Sequence, residues 1–117
     1  MNNQDLKTIR DRLRKFVDER DWDQFHNPKN LAMALSVESS ELLELFQWLT
    51  DAESQELDEE KRREAEMELA DILIYLIRIA DKLDIDLLDA VAKKLEINEQ
   101  RYPVSKVKGK AVKYKEI

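Results

Sequence analysis

The sequence predicts an all-α fold in the form of a four-helix antiparallel bundle. One glycine and two prolines in 117 residues leave few of the residues on which turns and hairpins depend. Charged residues make up 39% of the chain and are mixed with leucine, isoleucine and alanine, as in long amphipathic helices. Apolar residues also recur at helical spacing in four segments joined by short links. The length suits one small domain.

The predicted helices are bounded by local start and stop signals. Asn27 followed by Pro28 predicts an N-cap with proline in the first helical position. Asp58 and Asp86 suit the positive ends of two further helices, and Pro103 ends the last one. The predicted spans are about 3–19, 28–48, 58–83 and 86–102, with an aromatic and polar break at 20–28 and a polar loop at 50–57.

Composition excludes several kinds of site. The absence of cysteine excludes disulfides, thiolate zinc sites and cysteine nucleophiles. With His26 and Gly109 as the single histidine and glycine, serine-triad, di-iron and glycine-rich phosphate-loop motifs are missing. The net charge of -6 argues against a nucleic-acid duplex as partner. No run has membrane-spanning length or resembles a signal peptide, so we expect a cytoplasmic protein with no membrane partner.

Two helices carry acid pairs where apolar residues are expected. Glu38, with Glu41 at its edge, lies on the face of the second helix that otherwise presents leucine. Glu68 and Asp71 share a face of the third helix, whose segment Leu69–Ala80 is apolar nearly all the way round. A helix that is apolar on all sides is buried on all sides, so this segment also predicts a subunit interface and an obligate dimer.

Ionised carboxylates in an apolar interior need a cation or a neutralising partner. Oxygen-only ligands select hard ions, so the acids predict Mg²⁺ first, with Mn²⁺ or Ca²⁺ after it. The alternative is that the acids reach solvent or pair with an arginine. Candidates for that pairing are Arg62, Arg63 and Arg78.

The motifs Glu38-x-x-Glu41 and Glu68-x-x-Asp71 resemble those of the MazG-type, all-α nucleotide pyrophosphohydrolases. Within that family the chain is most similar to the dCTP pyrophosphatase branch. The resemblance covers nearly the whole chain and includes the segments FVDERDWDQFHNPKNLAMAL (16–35), ELLELFQW (41–48), ELADILIYL (68–76), NEQRYPV (98–104) and KGKAVKY (108–114).

The resemblance implies a house-cleaning hydrolase that converts a nucleoside triphosphate and water to a monophosphate and pyrophosphate. It implies a homodimer or homotetramer, and Mg²⁺ bound by four catalytic carboxylates, those of Glu38, Glu41, Glu68 and Asp71. By the same resemblance His26, Trp22, Trp48, Tyr75 and Asn98 would surround the nucleoside. Without the resemblance, ordinary core packing is the preferred interpretation of both tryptophans. Cations for the phosphates would come from Lys29, Lys94, Arg101, Lys110 and Lys113.

Two alternatives to a dCTP-type pyrophosphohydrolase remain, one with a different substrate and one with a different function. One is a broader-specificity, dUTP-type or phosphoribosyl-ATP enzyme of the same superfamily. Another is a non-catalytic helical interaction module. The expected organisation is a helical domain at 1–103 and a basic tail at 104–117, with a charge of +4 against -10 for the rest. That tail is either a solvated end or a flap that closes over an anionic ligand.

Overall fold

The computed structural model describes residues 5–116, and all regular secondary structure in them is helical. The all-α prediction is therefore confirmed. The predicted helix start at Asn3 lies outside the described residues. So do the first four residues of the predicted domain at 1–103 and the last residue of the predicted tail at 104–117. The helices are α1 (Leu6–Glu19), α2 (Pro28–Phe46), α3 (Asp51–Gln55), α4 (Glu59–Lys82), α5 (Leu87–Arg101) and α6 (Val104–Val107), with 3-10 helices at Asp23–Phe25 and Tyr114–Glu116.

Among the described residues, five helices begin at an N-cap side chain, and four of these caps are aspartate or asparagine. Asp5, Asn27, Asp58 and Asp86 each accept a hydrogen bond from the backbone N–H three residues further on. Each cap satisfies one of the N–H groups that have no partner inside a helix. The predicted starts of α2, α4 and α5 are confirmed.

The segment 50–57 contains a helix, so its prediction as a polar loop was wrong at α3. Thr50 accepts a hydrogen bond from the Glu53 N–H at 3.1 Å, and Glu53 accepts one from the Thr50 N–H at 2.9 Å. This reciprocal pair is a capping box, which stabilises a helix start even where no apolar stripe follows.

Two helices end at an aspartate in the left-handed region, a position that usually carries glycine. Asp21 follows α1 with φ 54°, and Asp84 follows α4 with φ 56°. After α1 the N–H of Trp22 donates to Val17 O at 3.0 Å, and the Asp21 N–H donates to Asp18 O at 3.1 Å. These bonds form a Schellman motif, so α1 ends with aspartate at the position where glycine is usual.

The chain divides between Asp84 and Ile85 into two units. In the first unit α2 packs along α4, and α1 packs against α4. Its buried apolar side chains are Val17 from α1, Leu31 from α2, and Ala65, Ile77 and Ala80 from α4. The second unit holds α5, α6 and the C-terminal 3-10 helix. The antiparallel four-helix arrangement stays a prediction.

Only part of the Leu69–Ala80 surface is buried within this chain. Ile77 is 3% exposed, whereas Leu69, Leu73 and Leu76 are 55%, 42% and 38% exposed. Those three leucines share one helical face because they are spaced by four and three residues. A second copy that covers this face stays a prediction. Across the described residues, no helix combines the length and apolar character needed to cross a bilayer.

Candidate active site

Three carboxylates from two helices meet where α2 packs along α4. Glu38 and Glu41 lie one turn apart on α2, and Glu68 lies on α4. Each offers an oxygen within 4.8 Å of the oxygens that the other two offer. The i,i+3 spacing puts both acids on the same side of α2, as the sequence predicted, with Glu38 half-buried and Glu41 exposed at the edge. We call these three side chains the carboxylate cluster.

Two oxygens of the cluster are buried without a hydrogen-bond partner among the described residues. They are Glu38 Oε2 and Glu68 Oε2. Burying such a group without a partner costs free energy, and the cost is larger for a charge. Arg78, one of the arginines considered as a neutralising partner, instead forms its ion pairs with Asp23 and Asp81.

Crowding of like charges raises the pKa of Glu38 from its ordinary value of 4.5 to about 7. The largest cause is the side chain of Glu68, which can share a hydrogen bond with Glu38 only when one of the two acids holds a proton. Burial acts in the same direction, followed by Glu41 and the charge of Asp71. The cluster therefore resists full ionisation unless positive charge enters it.

The donor set fits a hard divalent cation. A cation between these oxygens would satisfy the two unpaired carboxylate atoms and cancel the repulsion that raises the pKa of Glu38. Oxygen-only ligation from carboxylates is typical of magnesium, manganese and calcium sites. These residues are therefore suited to bind a divalent metal ion. The sequence predicted such an ion from the same side chains.

Asp71, the fourth predicted carboxylate, is half-buried and is not one of the three grouped oxygens. Its charge still contributes to the raised pKa of Glu38. Burial first, and then the charges of Glu38 and Asp71, raise the pKa of Tyr75. Tyr75 therefore stays a protonated phenol beside the acids, able to donate a hydrogen bond.

A cavity of about 470 Å³ lies beside these acids, with Asp71 in its wall. That volume is within the range of about 300 to 1,000 Å³ that small-molecule sites occupy. The cavity is mainly apolar and aromatic. It is lined by Ile9, Arg12, Leu13, Phe16 and Val17 of α1, by Trp22 and His26 of the following loop, and by Asp71, Ile74, Tyr75 and Arg78 of α4.

The structure brings together three of the residues predicted around the nucleoside, namely Trp22, His26 and Tyr75. Trp22 packs edge-on against Phe16, with ring centroids 5.8 Å apart. Trp48 does not line the cavity and is 86% exposed, so it is not packed in the core of this chain either.

The predicted phosphate-binding cations are spread over the chain. Lys29 is exposed near the start of α2. In the second unit, Lys94, Asn98 and Arg101 are spaced by four and three residues and so share one face of α5. Lys110 and Lys113 are exposed in the segment after α6. Their roles toward a ligand stay predictions.

Two charged residues of the cavity, Arg12 and Arg78, were not predicted as site residues from the sequence. Arg12 lines the cavity from α1, and nothing in its helical context distinguishes it from other surface arginines. Arg78 also lines the cavity and is buried, with 3% of its surface exposed. The sequence does distinguish Arg78, because Arg78 is a charge inside an apolar helical run. That pattern predicted a partner for the acids and not a residue of the cavity wall.

Comparison with known proteins shows the family of this chain. The model of the MazG-like family matches residues 33–117. The dCTP pyrophosphatase 1 of Rattus norvegicus is 46% identical over 114 residues, which cover 96% of this chain and 67% of the relative. That of Homo sapiens is 44% identical with the same coverage. The crystal structure of a pyrophosphatase from Archaeoglobus fulgidus is 42% identical, covers 88% of this chain and 96% of that one, and superposes with a TM-score of 0.81. The chain belongs to the MazG-like family.

Proposed function

We propose that this protein is a magnesium-dependent pyrophosphohydrolase that converts dCTP and water to dCMP and pyrophosphate. The observation that carries the proposal is the carboxylate cluster, with its two unpaired buried oxygens, next to a cavity of nucleoside size. The relatives named dCTP pyrophosphatase 1 and the pyrophosphatase of A. fulgidus support the reaction, and the former support the base.

The acids are the residues that would hold the metal. The clustered oxygens come from Glu38, Glu41 and Glu68. Asp71, which lines the cavity, would be a fourth metal ligand on the side where the triphosphate binds. Bound Mg²⁺ would neutralise the phosphate oxygens and lower the pKa of the water that attacks the α-phosphorus. A cluster carboxylate that is not fully engaged would take the proton of that water.

The cavity is the proposed nucleoside site. Trp22 offers an aromatic face for the base, while His26 and Tyr75 offer polar groups on the cavity wall. Asn98 and Lys94 of α5, with Arg101, Lys110 and Lys113, are proposed to complete the contacts to base and phosphates. The basic segment 104–117 would act as the flap that excludes water from the bound triphosphate.

A homodimer, or a dimer of such dimers, is part of the proposal. The face of α4 formed by Leu69, Leu73 and Leu76 is apolar and more than one third exposed in the single chain. Trp48 is a further large exposed ring. Contiguous apolar surface of this kind is typical of a subunit interface.

The decisive experiment measures pyrophosphate release from dCTP with and without MgCl₂. Glu38→Gln and Glu68→Gln should each abolish turnover while the circular dichroism spectrum stays helical. Glu66→Gln is the matched control, because Glu66 lies on α4, is exposed and is not in the cluster. Full activity of either cluster variant would rule out the assignment.

A substrate panel separates the remaining alternatives. dCTP should be hydrolysed with the highest kcat/KM among natural deoxynucleotides, ribonucleotides and base-modified triphosphates. A preference for dUTP, or equal rates on all, would identify a different branch of the family. A protein that neither binds Mg²⁺ nor releases pyrophosphate would instead be the non-catalytic helical module.

A further inference from the structure

Arg78 is a buried cation whose guanidinium nitrogens all have partners. Nη2 pairs with Asp23 at 3.2 Å, Nη1 pairs with Asp81 at 3.4 Å, and Nε donates to His26 Nδ1 at 3.4 Å. Asp23 and His26 belong to the loop between α1 and α2, whereas Arg78 and Asp81 belong to α4. Arg78 therefore fixes the loop to α4 and contacts the imidazole directly.

The contact with Arg78 determines which nitrogen of His26 carries the proton. An arginine side chain stays protonated in proteins and only donates hydrogen bonds, so the nitrogen that faces it must be the acceptor. Nδ1 is that acceptor, which leaves Nε2 as the place for the single proton of the neutral ring. The ring then offers one N–H donor, at Nε2.

The charges around His26 also favour the neutral ring. Burial, and then the positive charge of Arg78, lower the pKa of His26; Asp23 acts in the opposite direction and Lys82 adds to the lowering. Arg12 of α1 and Asp71 of α4 face the same cavity. A neutral ring of fixed polarity can discriminate between ligands, because a buried donor without an acceptor costs free energy.

We propose that Arg78 is a positioning residue that holds His26 as the neutral ring protonated on Nε2, so that the cavity wall presents a hydrogen-bond donor to the nucleoside. The group that binds there is a hydrogen-bond acceptor, such as a carbonyl oxygen or an unprotonated ring nitrogen of the base. This assignment of a ligand group rests on the proposed function, whereas the state of the ring does not.

The state of the ring is measured on the full-length protein without a ligand. His26 is the single histidine, so nitrogen NMR of protein purified without a histidine tag reports this one ring. Near neutral pH we expect protonated Nε2 and unprotonated Nδ1 in the wild type. A proton on Nδ1, or an even mixture of both tautomers, would overturn the proposal, whatever the enzyme hydrolyses.

Arg78→Met tests whether Arg78 causes that state. Its two carboxylate partners keep other cations, because Asp23 also pairs with Lys82 at 2.6 Å and Asp81 also accepts from Arg14 Nε at 2.8 Å. We expect the tautomers to mix and the titration midpoint of His26 to rise. Arg78→Lys keeps a cationic donor and should retain the Nε2 proton. An unchanged ring in Arg78→Met would overturn the proposal.

Arg14→Met is the matched control for a purely structural effect, since Arg14 binds Asp81 but makes no hydrogen bond with His26. It should lower the melting temperature and leave the His26 tautomer unchanged. If Arg78→Met does not fold, the wild-type tautomer and the Arg78→Lys spectrum still decide the question.

The kinetic consequence is a change in KM rather than in kcat. Loss of one hydrogen bond to the bound nucleoside should raise the KM for dCTP about fivefold to tenfold in Arg78→Met. The kcat should stay nearly constant, because a contact made equally in ground and transition states affects binding alone. A large fall in kcat with constant KM would contradict the positioning role. Failure of dCTP hydrolysis in the wild type would reject the proposed function and leave the NMR result standing.

Discussion

Glu38 on α2 and Glu68 on α4 each bury a carboxylate oxygen without a hydrogen-bond partner among residues 5–116, and the two acids offer oxygens within 4.8 Å of each other. The two helices pack directly against each other, so the repulsion between the two carboxylates lies at the contact between α2 and α4. A cation there would turn a destabilising contact into a stabilising one. Metal binding and folding stability should therefore be linked in this protein.

Mg²⁺ should raise the stability of the wild type and not that of a cluster variant. At about 100 times its Kd, an ion that binds only the folded state adds about 2.7 kcal/mol to the free energy of unfolding. Glu68→Gln should lose nearly all of this gain, while its ion-free form should be at least as stable as the wild type because one repulsive charge is gone. Urea unfolding with MgCl₂ and with EDTA checks both. An equal Mg²⁺ effect in the variant would place the metal elsewhere.

The pair of Arg14 and Asp81 should make stability depend on acidic pH. The hydrogen bond from Arg14 is the largest cause of a pKa of Asp81 below its ordinary 3.8; burial, the second cause, acts against it, and the charges of Arg14, Arg78 and Arg10 lower the pKa further. A depressed folded-state pKa gives stability that is present above about pH 4 and is lost as the pH falls through the lower folded value. Asp81→Asn should cost about 2 kcal/mol at pH 7 and progressively less as the pH falls below about 4.

The control for that prediction is Asp11→Asn. Asp11 also pairs with Arg14, but its side chain is 61% exposed, so water screens the pair. We expect little change at either pH. A loss for Asp81→Asn that is the same at both pH values would assign its effect to packing rather than to charge.

Asp84→Gly should stabilise the protein. Asp84 has a φ of 56°, which costs a residue with a Cβ atom more than glycine. Relief of that strain should add about 1 kcal/mol to the free energy of unfolding. Arg63→Gly, at an exposed position within α4, should instead cost about 1 kcal/mol because glycine weakens a helix interior. Thermal melts of both variants test the opposite signs.

The features that could be predicted from the sequence are the local ones. The N-caps at Asn27, Asp58 and Asp86 act on backbone groups three residues away, so their pattern is visible in the chain itself. The i,i+3 spacing of Glu38 and Glu41 is equally local. The capping box that starts α3 also has a sequence signature, namely Thr50 followed by Glu53 three residues later. The polar composition of the segment nevertheless favoured a loop.

What could not be predicted depends on tertiary contacts or on unusual backbone. The contact between Arg78 and His26 joins residues 52 positions apart. No sequence rule places aspartate rather than glycine in the left-handed position at Asp21 and Asp84. The expected full burial of Leu69–Ala80 is not reached within the single chain, because α1 and α2 cover only part of α4. Its burial by a second chain stays a prediction.

A charge on the exposed face of α4 should dissociate the proposed dimer. Leu73 is 42% exposed in the single chain, so in a monomer Leu73→Glu would be tolerated at little cost. In a dimer the same change buries an unpaired charge and should lower the association constant by orders of magnitude. Analytical ultracentrifugation measures this, with Leu73→Met as the apolar control. A wild type that sediments as a stable folded monomer would contradict the interface.

The final prediction concerns the basic segment after Pro103. Its charge is +4, from five lysines (Lys106, Lys108, Lys110, Lys113 and Lys115) and Glu116. A triphosphate keeps negative charge that one divalent ion does not cancel. If the segment closes over that ligand, a chain that ends at Pro103 should bind dCTP more weakly and turn over slowly, with a nearly unchanged ion-free melting temperature.

The competing expectation is that the segment is a fixed part of the fold. It contains α6 and a turn at Gly109 with φ 78°, and Val107 and Val112 are half-buried. Truncation would then lower the melting temperature strongly. The double variant Lys110→Gln/Lys113→Gln separates the two effects, because it removes charge while it keeps the backbone and the valines. We expect it to raise the KM for dCTP severalfold and to leave the melting temperature unchanged, whereas Lys106→Gln/Lys108→Gln, the charge-matched control, should change KM less. Wild-type KM in the first double variant would leave these lysines as a solvated end.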